Sequence, residues 1–262
     1  MKIAVCGKGG VGKTTFSGML IGIFVSEGRR VIGIDADPDP HLPFLFGIRA
    51  KDITPIAEIK ELIEEKIGKA GFIKLNPEVA DIPEKYGIRF KEIKLLVLGD
   101  KKGGDGCYCR ENILVKRLLE HLLTQEREIV IMDMAAGIEH LTRGTSQHVD
   151  ALLIIVEPDM GSIQTAKKIQ GLANELNVEK IFLILNKITN IKEKEFICSN
   201  LKDLTLLGEI PYDLQIRNAS LKGISPLEFE SKMREAVRNI SYSLNEYLSG
   251  RRAKDVSRAN SG

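Results

Sequence analysis

The stretch KIAVCGKGGVGKTTFSG, Lys2 to Gly18, decides how the rest of the chain reads. Lys2 to Cys6 is a short apolar run, Gly7-Lys8-Gly9-Gly10-Val11-Gly12-Lys13-Thr14-Thr15 follows, and Phe16 to Ser26 has a helical pattern. A loop of the form G-x-x-x-x-G-K-[ST] between strand and helix is a phosphate cradle. Glycines let the backbone turn tightly, successive N–H groups point inward, and the helix N-terminus adds partial positive charge. In this arrangement Gly9, Gly10, Val11, Gly12, Lys13, Thr14 and Thr15 surround the phosphates. Lys13 reaches the β- and γ-phosphates, and the Thr14 hydroxyl serves Mg²⁺.

Beyond this unit, short apolar runs recur with helical patterns between them: Arg30 to Asp35, Ile93 to Leu98, Ile129 to Asp133, Ala151 to Glu157, Lys180 to Asn186 and Leu204 to Ile210. Runs of this length, rich in Ile, Val and Leu and bounded by Gly, Pro and Asp, read as strands buried on both faces. Strands alternating with helices predict an α/β fold: one doubly wound, mostly parallel sheet of about seven strands. No linker or repeat divides the chain, so residues 1–249 are expected to form one P-loop NTPase domain. Residues 250–262, almost without apolar side chains, are expected to be a disordered tail. Lys51 to Tyr86 reads as an insertion on the sheet's rim.

Composition narrows the function classes. With 262 residues the chain buries roughly three quarters of its unfolded surface and needs no metal or disulfide merely to fold. Lys and Arg number 38 against 36 Asp and Glu, a net charge of +2, which argues against a nucleic-acid partner. The start shows no charged n-region and apolar h-region, and no apolar stretch reaches about 18 residues. A cytoplasmic protein without a membrane partner is therefore expected. Four cysteines in a reducing compartment read as thiols or metal ligands.

Asp133 ends the run Ile131-Met132-Asp133-Met134-Ala135-Ala136-Gly137, as a Walker-B aspartate does. It is placed to fix Mg²⁺ through water, and Gly137 to turn its N–H toward the γ-phosphate. Asp35, Asp37 and Asp39 follow another strand end; one carboxylate there can position water, while Asp35 reads equally well as a turn cap. Asn186-Lys187-Ile188-Thr189 begins like the guanine reader N-K-x-D, but Thr189 replaces the acid, so ATP is preferred.

The loop K-G-G-x-G-K-T, with its second lysine Lys8, resembles the deviant Walker A form shared by ATPases of the MinD, ParA and nitrogenase iron-protein superclass. The resemblance implies that Lys8 crosses to the phosphates of a second subunit and that ATP holds a homodimer face to face. It also makes Asp35 to Asp39 a switch segment, with water positioned by Asp37 first and Asp39 second. Asn186 and Lys187, with Pro211 and Tyr212, then border the adenine.

Cys107-Tyr108-Cys109 precedes the amphipathic pattern Arg110 to Leu123. A disulfide between residues two apart is strained, and metal ligation fits better. One chain offers two thiolates where structural sites take four, and a two-fold dimer doubles the count. Cys6 and Cys198 read as structural thiols. Together with Asp133 to Thr145 (DMAAGIEHLTRGT), Glu157-Pro158 and Ile210-Pro211-Tyr212, these motifs resemble the CooC family over almost the whole chain. That implies an ATPase that binds one Ni²⁺ or Zn²⁺ per dimer and assists nickel insertion into carbon monoxide dehydrogenase. Two other classes remain: an iron-protein-like electron carrier, though Ile138 to Thr145 lacks the second cysteine such proteins carry, and a MinD- or ParA-type positioning or partition ATPase. The final helical stretch, Met233 to Leu248, has no basic amphipathic anchor.

Overall fold

Eight strands form one sheet: β1 (Lys2–Gly7), β2 (Val31–Ala36), β3 (Ile88–Phe90), β4 (Ile93–Val97), β5 (Ile129–Met134), β6 (Ala151–Val156), β7 (Ile181–Ile188) and β8 (Thr205–Pro211). Their order across the sheet is β3-β4-β2-β5-β1-β6-β7-β8. Every adjacent pair is parallel except β3 with β4. The helices are α1 (Lys13–Ser26), α2 (Leu42–Leu45), α3 (Lys60–Ile67), α4 (Ile82–Tyr86), α5 (Cys109–Thr124), α6 (Arg143–Ser146), α7 (Met160–Glu175), α8 (Ile191–Asn200), α9 (Leu214–Leu221) and α10 (Lys232–Leu248). This computed structural model describes residues 1–68, 73–99, 109–125, 128–138 and 141–250. The expected disordered tail, apart from Gly250, lies outside the described residues.

The sheet is apolar on both faces because both are covered. Along β1, Ile3 and Val5 face a core shared with Phe16, Leu20 and Phe24 of α1 and Val237 and Leu244 of α10. Ala4 and Cys6 face the opposite core, built with Leu114 and Leu118 of α5, Ile163 of α7 and Ile197 of α8. The sequence of α1 is apolar almost all round, FSGMLIGIFV, because it packs on the sheet and also against α2 and α10. A helix polar on one side would leave one of those contacts unsatisfied.

About seven strands were expected, and eight are present among the described residues. The addition, β3, is a three-residue edge strand paired antiparallel with β4 through a two-residue turn; three residues are too few for a periodic signal. The segment expected on the rim contributes more than a rim does: Ile56, Leu62, Ile63, Ile67 and Ile82 are buried in the α5-side core. No helix among the described residues is long and apolar enough to cross a membrane.

Candidate functional site

The candidate site lies at the carboxyl ends of β1, β2, β5, β7 and β8, where open α/β sheets bind ligands. The loop after β1 ends at Gly12, which adopts φ 99° at the start of α1. A Cβ at Gly12 would stand 2.5 Å from Nδ2 of Asn186, so both conformation and space demand glycine. That Asn186 amide donates to the Val11 carbonyl at 2.6 Å and ties the loop to β7. No side chain caps the start of α1, so its first N–H groups are left for an anion. Lys13 is buried, its ammonium donating to the Lys8 carbonyl at 3.2 Å and closing the loop around its own cation.

Strand periodicity sets two carboxylates side by side. Residues 31, 33 and 35 of β2 and 129, 131 and 133 of β5 share the α1 face, and Asp35 pairs in register with Asp133. The Ser17 hydroxyl donates to Asp133 Oδ1 at 3.1 Å. Burial pushes the Asp133 carboxyl up to about 7, a rise to which nearby Asp35 adds and which Thr14, Lys13 and Ser17 oppose. Asp35 is likewise raised by burial, to about 6, despite backbone N–H bonds from Leu42 and Asp37 at 2.8 and 3.1 Å. Two carboxyls that resist ionising beside one buried lysine suit a divalent cation, and the Thr14 and Ser17 hydroxyls add oxygen donors. The cap reading of Asp35 therefore holds in its hydrogen bonds, while its register beside Asp133 places it at the centre of the site. Sequence reasoning left Asp35 undecided, although the two-residue period of both strands carried the signal.

Asp37 is half-buried and accepts the Asp39 N–H at 3.0 Å; Asp39 is exposed beside His41. No hydrogen bond among the described residues joins either carboxylate to the phosphate loop. Gly137 stands just beyond β5, and Glu139 and His140 lie outside the described residues.

Lys8 points away from its own loop. Its ammonium stands 3.0 and 3.1 Å from the two oxygens of Asp159 and 3.6 Å from Glu157. The hydrogen bond that Lys8 donates to Asp159 leads the effects that raise the Lys8 pKa. Burial pushes Asp159 up, but the Ser162 N–H and the Lys8 ammonium outweigh it and hold the carboxyl below its ordinary value. Glu157 also accepts from Lys187 at 2.6 Å, and Lys187, at φ 59°, donates to the Gly10 carbonyl at 3.0 Å. Lys187 thus clamps the phosphate loop, and an acidic bridge, Glu157 with Asp159, restrains both lysines. Sequence reasoning gave neither acid a role; the only signal was their position directly after a strand end.

A cavity of about 400 Å³ adjoins the loop, lined by Gly10, Gly12, Thr15, Asn186, Pro211 and Tyr212 among others. It has the size of a small-ligand site. Asp213 supports its wall, accepting N–H bonds from Gln215 at the start of α9 and Met233 of α10.

Cys107 lies outside the described residues. Cys109 opens α5, exposed, and is joined in a disulfide. A cysteine at a helix N-terminus is favoured as the reactive thiolate, which forms disulfides as well as metal bonds. Ligation by Cys109 requires its reduced form. Cys6 is buried, its thiol directed at the Leu153 carbonyl, and burial pushes its pKa up, so it stays protonated. Among the described residues no group of three or more His, Cys, Asp or Glu is arranged to hold a metal.

The family model described as the CobQ/CobB/MinD/ParA nucleotide binding domain matches residues 2–227. The carbon monoxide dehydrogenase accessory protein CooC of Rhodospirillum rubrum is 42% identical over 255 residues, covering 94% of this chain and 97% of that protein. An uncharacterized ATP-binding protein of Methanocaldococcus jannaschii is 40% identical over 249 residues, 92% of this chain and 96% of that one. Among solved structures, the MinD cell division protein of Aquifex aeolicus has a TM-score of 0.66 at 22% identity, covering 93% of this chain and 96% of that chain. At that identity the likeness is one of fold.

Proposed function

The chain belongs to the CobQ/CobB/MinD/ParA nucleotide-binding family and, within it, groups with CooC, and from this premise we propose that it is an ATPase that dimerises with ATP and delivers a metal. The loop N–H groups of Gly9 to Thr15 and the Lys13 ammonium hold the phosphates, and adenine occupies the cavity bordered by Asn186, Pro211 and Tyr212. Thr14 holds Mg²⁺ directly and Asp133 through water; the ion neutralises charge on the phosphate oxygens. Asp37, with Asp39 as second candidate, orients the attacking water, and the Gly137 N–H meets the γ-phosphate. Lys8 leaves Asp159 and Glu157 to reach the phosphates of a second subunit.

The observation that carries this reading is the contrast between the two lysines of one loop. Lys13 is buried against the Lys8 carbonyl, whereas the Lys8 side chain is 39% exposed and held by the partly exposed carboxylate of Asp159 and, at 3.6 Å, by Glu157. Pairs of that kind are weak. A negatively charged phosphate site on a second chain can compete for the ammonium where the protein's own acids hold it loosely.

The metal is cargo. Reduced Cys107 and Cys109 from two chains supply four thiolates suited to one Ni²⁺ or Zn²⁺. The likeness to CooC supports nickel carbon monoxide dehydrogenase as the client. The test is nickel-dependent activation of the apo-dehydrogenase by the reduced protein with ATP: activation is expected, and it is lost with Lys13→Ala and with the pair Cys107→Ser and Cys109→Ser. Activation that survives the double serine variant contradicts the thiolate site.

A further inference from the structure

A second cavity, about 520 Å³, opens at the far end of α1 from the phosphate loop, between α1, the chain after α2, the β3–β4 turn and the segment before α10. Its walls are mostly apolar, with Met19 and Val25 of α1, Phe46, Phe90, Ile93 and Leu227 among them, and Lys91, Glu228 and Arg234 as the charged residues. The volume falls within the range of small-molecule sites, and no residue assigned to the nucleotide contributes to it.

Two features of the wall have no explanation within the chain. The first is Gly22, in the interior of α1, where glycine weakens a helix relative to alanine. One turn earlier, Gly18 packs closely: its Cβ would meet Leu45 Cδ1 at 2.6 Å, so that side chain would have to shift. A Cβ on Gly22 meets no atom within 4 Å. The missing side chain only widens the cavity.

The second is Lys91, the first residue of the two-residue turn between Phe90 and Ile93. Its φ of 53° is left-handed, a conformation that favours Gly or Asn at that point of a hairpin. Strain of this kind persists at ligand sites. The Lys91 ammonium lies 5.4 Å from the Phe90 ring centroid, over the cavity mouth, and among the described residues it has no carboxylate partner. The other cation of the wall, Arg234, is already taken up by the carbonyls of Leu227 and Phe229 and by Glu230. The wall also carries the carboxylate of Glu228, on the segment before α10 and not on the turn. A mostly apolar cleft with one unclaimed ammonium on the β3–β4 turn is complementary, at that end, to an apolar chain bearing an anionic head.

We propose that this cavity binds an amphipathic carboxylate, its hydrocarbon chain running along Gly22 against Phe90 and Ile93 and its head group on Lys91. The proposal is independent of the nucleotide reading. It is tested on the full chain with the fluorescent fatty acid dansylaminoundecanoate, displaced by decanoate or by decanol. Saturable one-to-one binding is expected, with decanoate displacing the probe at least about tenfold more strongly than decanol. Lys91→Asn, which suits the left-handed turn, is expected to keep or raise the melting temperature while removing the preference for the acid. Gly22→Leu, which fills the cleft, is expected to weaken the probe by about tenfold or more. Absence of saturable binding, equal displacement by acid and alcohol, or an acid preference that survives Lys91→Asn overturns the proposal.

Discussion

Asp133 sits beside Asp35 on the sheet, and each is an acid that folding makes weaker. A carboxyl with a raised folded pKa keeps its proton in the native chain at pH values where the unfolded chain has lost it. Its contribution to stability is complete below the unfolded value and disappears as pH rises through about 6 for Asp35 and about 7 for Asp133. The ligand-free protein is therefore expected to melt at lower temperature near about pH 8 than near about pH 5. Asp133→Asn removes the buried charge but still accepts from Ser17. It should flatten that pH dependence and raise the melting temperature near about pH 8, while lowering ATP hydrolysis by about two orders of magnitude. A variant as pH-sensitive as the wild type contradicts this account of Asp133. Asp159 invites a second substitution at this scale. Asp159→Asn retains the cap on Ser162 of α7 but loses the charge that holds Lys8. Half-maximal dimerisation is expected at about two- to fivefold lower ATP, because exposed pairs of this kind are weak. Light scattering across an ATP titration reads the shift, and an unchanged or raised midpoint contradicts it.

Elements differ in how much of themselves the sequence discloses. The strand, loop and helix from Lys2 to Ser26 were legible because glycine spacing, an apolar run and a helical pattern all point the same way. The other six expected strands, β2 and β4 to β8, were legible as short apolar runs bounded by Gly, Pro and Asp. Two features escaped. β3 is too short to carry a period, and the bridge from Glu157 and Asp159 to Lys8 joins residues about 150 positions apart, where only the register of β1 with β6 brings them together. The α9 and α10 junction is a similar case, since Asp213 accepts from the start of both helices. Asp213→Ala should cost about 1 kcal/mol per lost cap and weaken nucleotide binding by loosening the cavity wall. Urea unfolding and titration with a fluorescent ATP analogue measure the two effects; normal stability and affinity contradict the bracing role.

At the scale of the molecule, each chain holds a complete fold but half of the proposed function. The core covers both faces of the sheet. The phosphate loop, in contrast, carries one lysine more than its own phosphates need, and the thiolates proposed for the metal are two per chain. Dimerisation and metal binding then share free energy, so each strengthens the other. The most direct measurement is molar mass together with bound metal, on anaerobically reduced protein supplied with Ni²⁺ or Zn²⁺, with and without a non-hydrolysable ATP analogue. The account predicts a shift to twice the monomer mass with the analogue, one metal per two chains, loss of the shift in Lys8→Ala, and loss of the metal in the double Cys107→Ser and Cys109→Ser variant. A chain that stays monomeric with the analogue, or that binds the same metal after both cysteines are replaced, contradicts it.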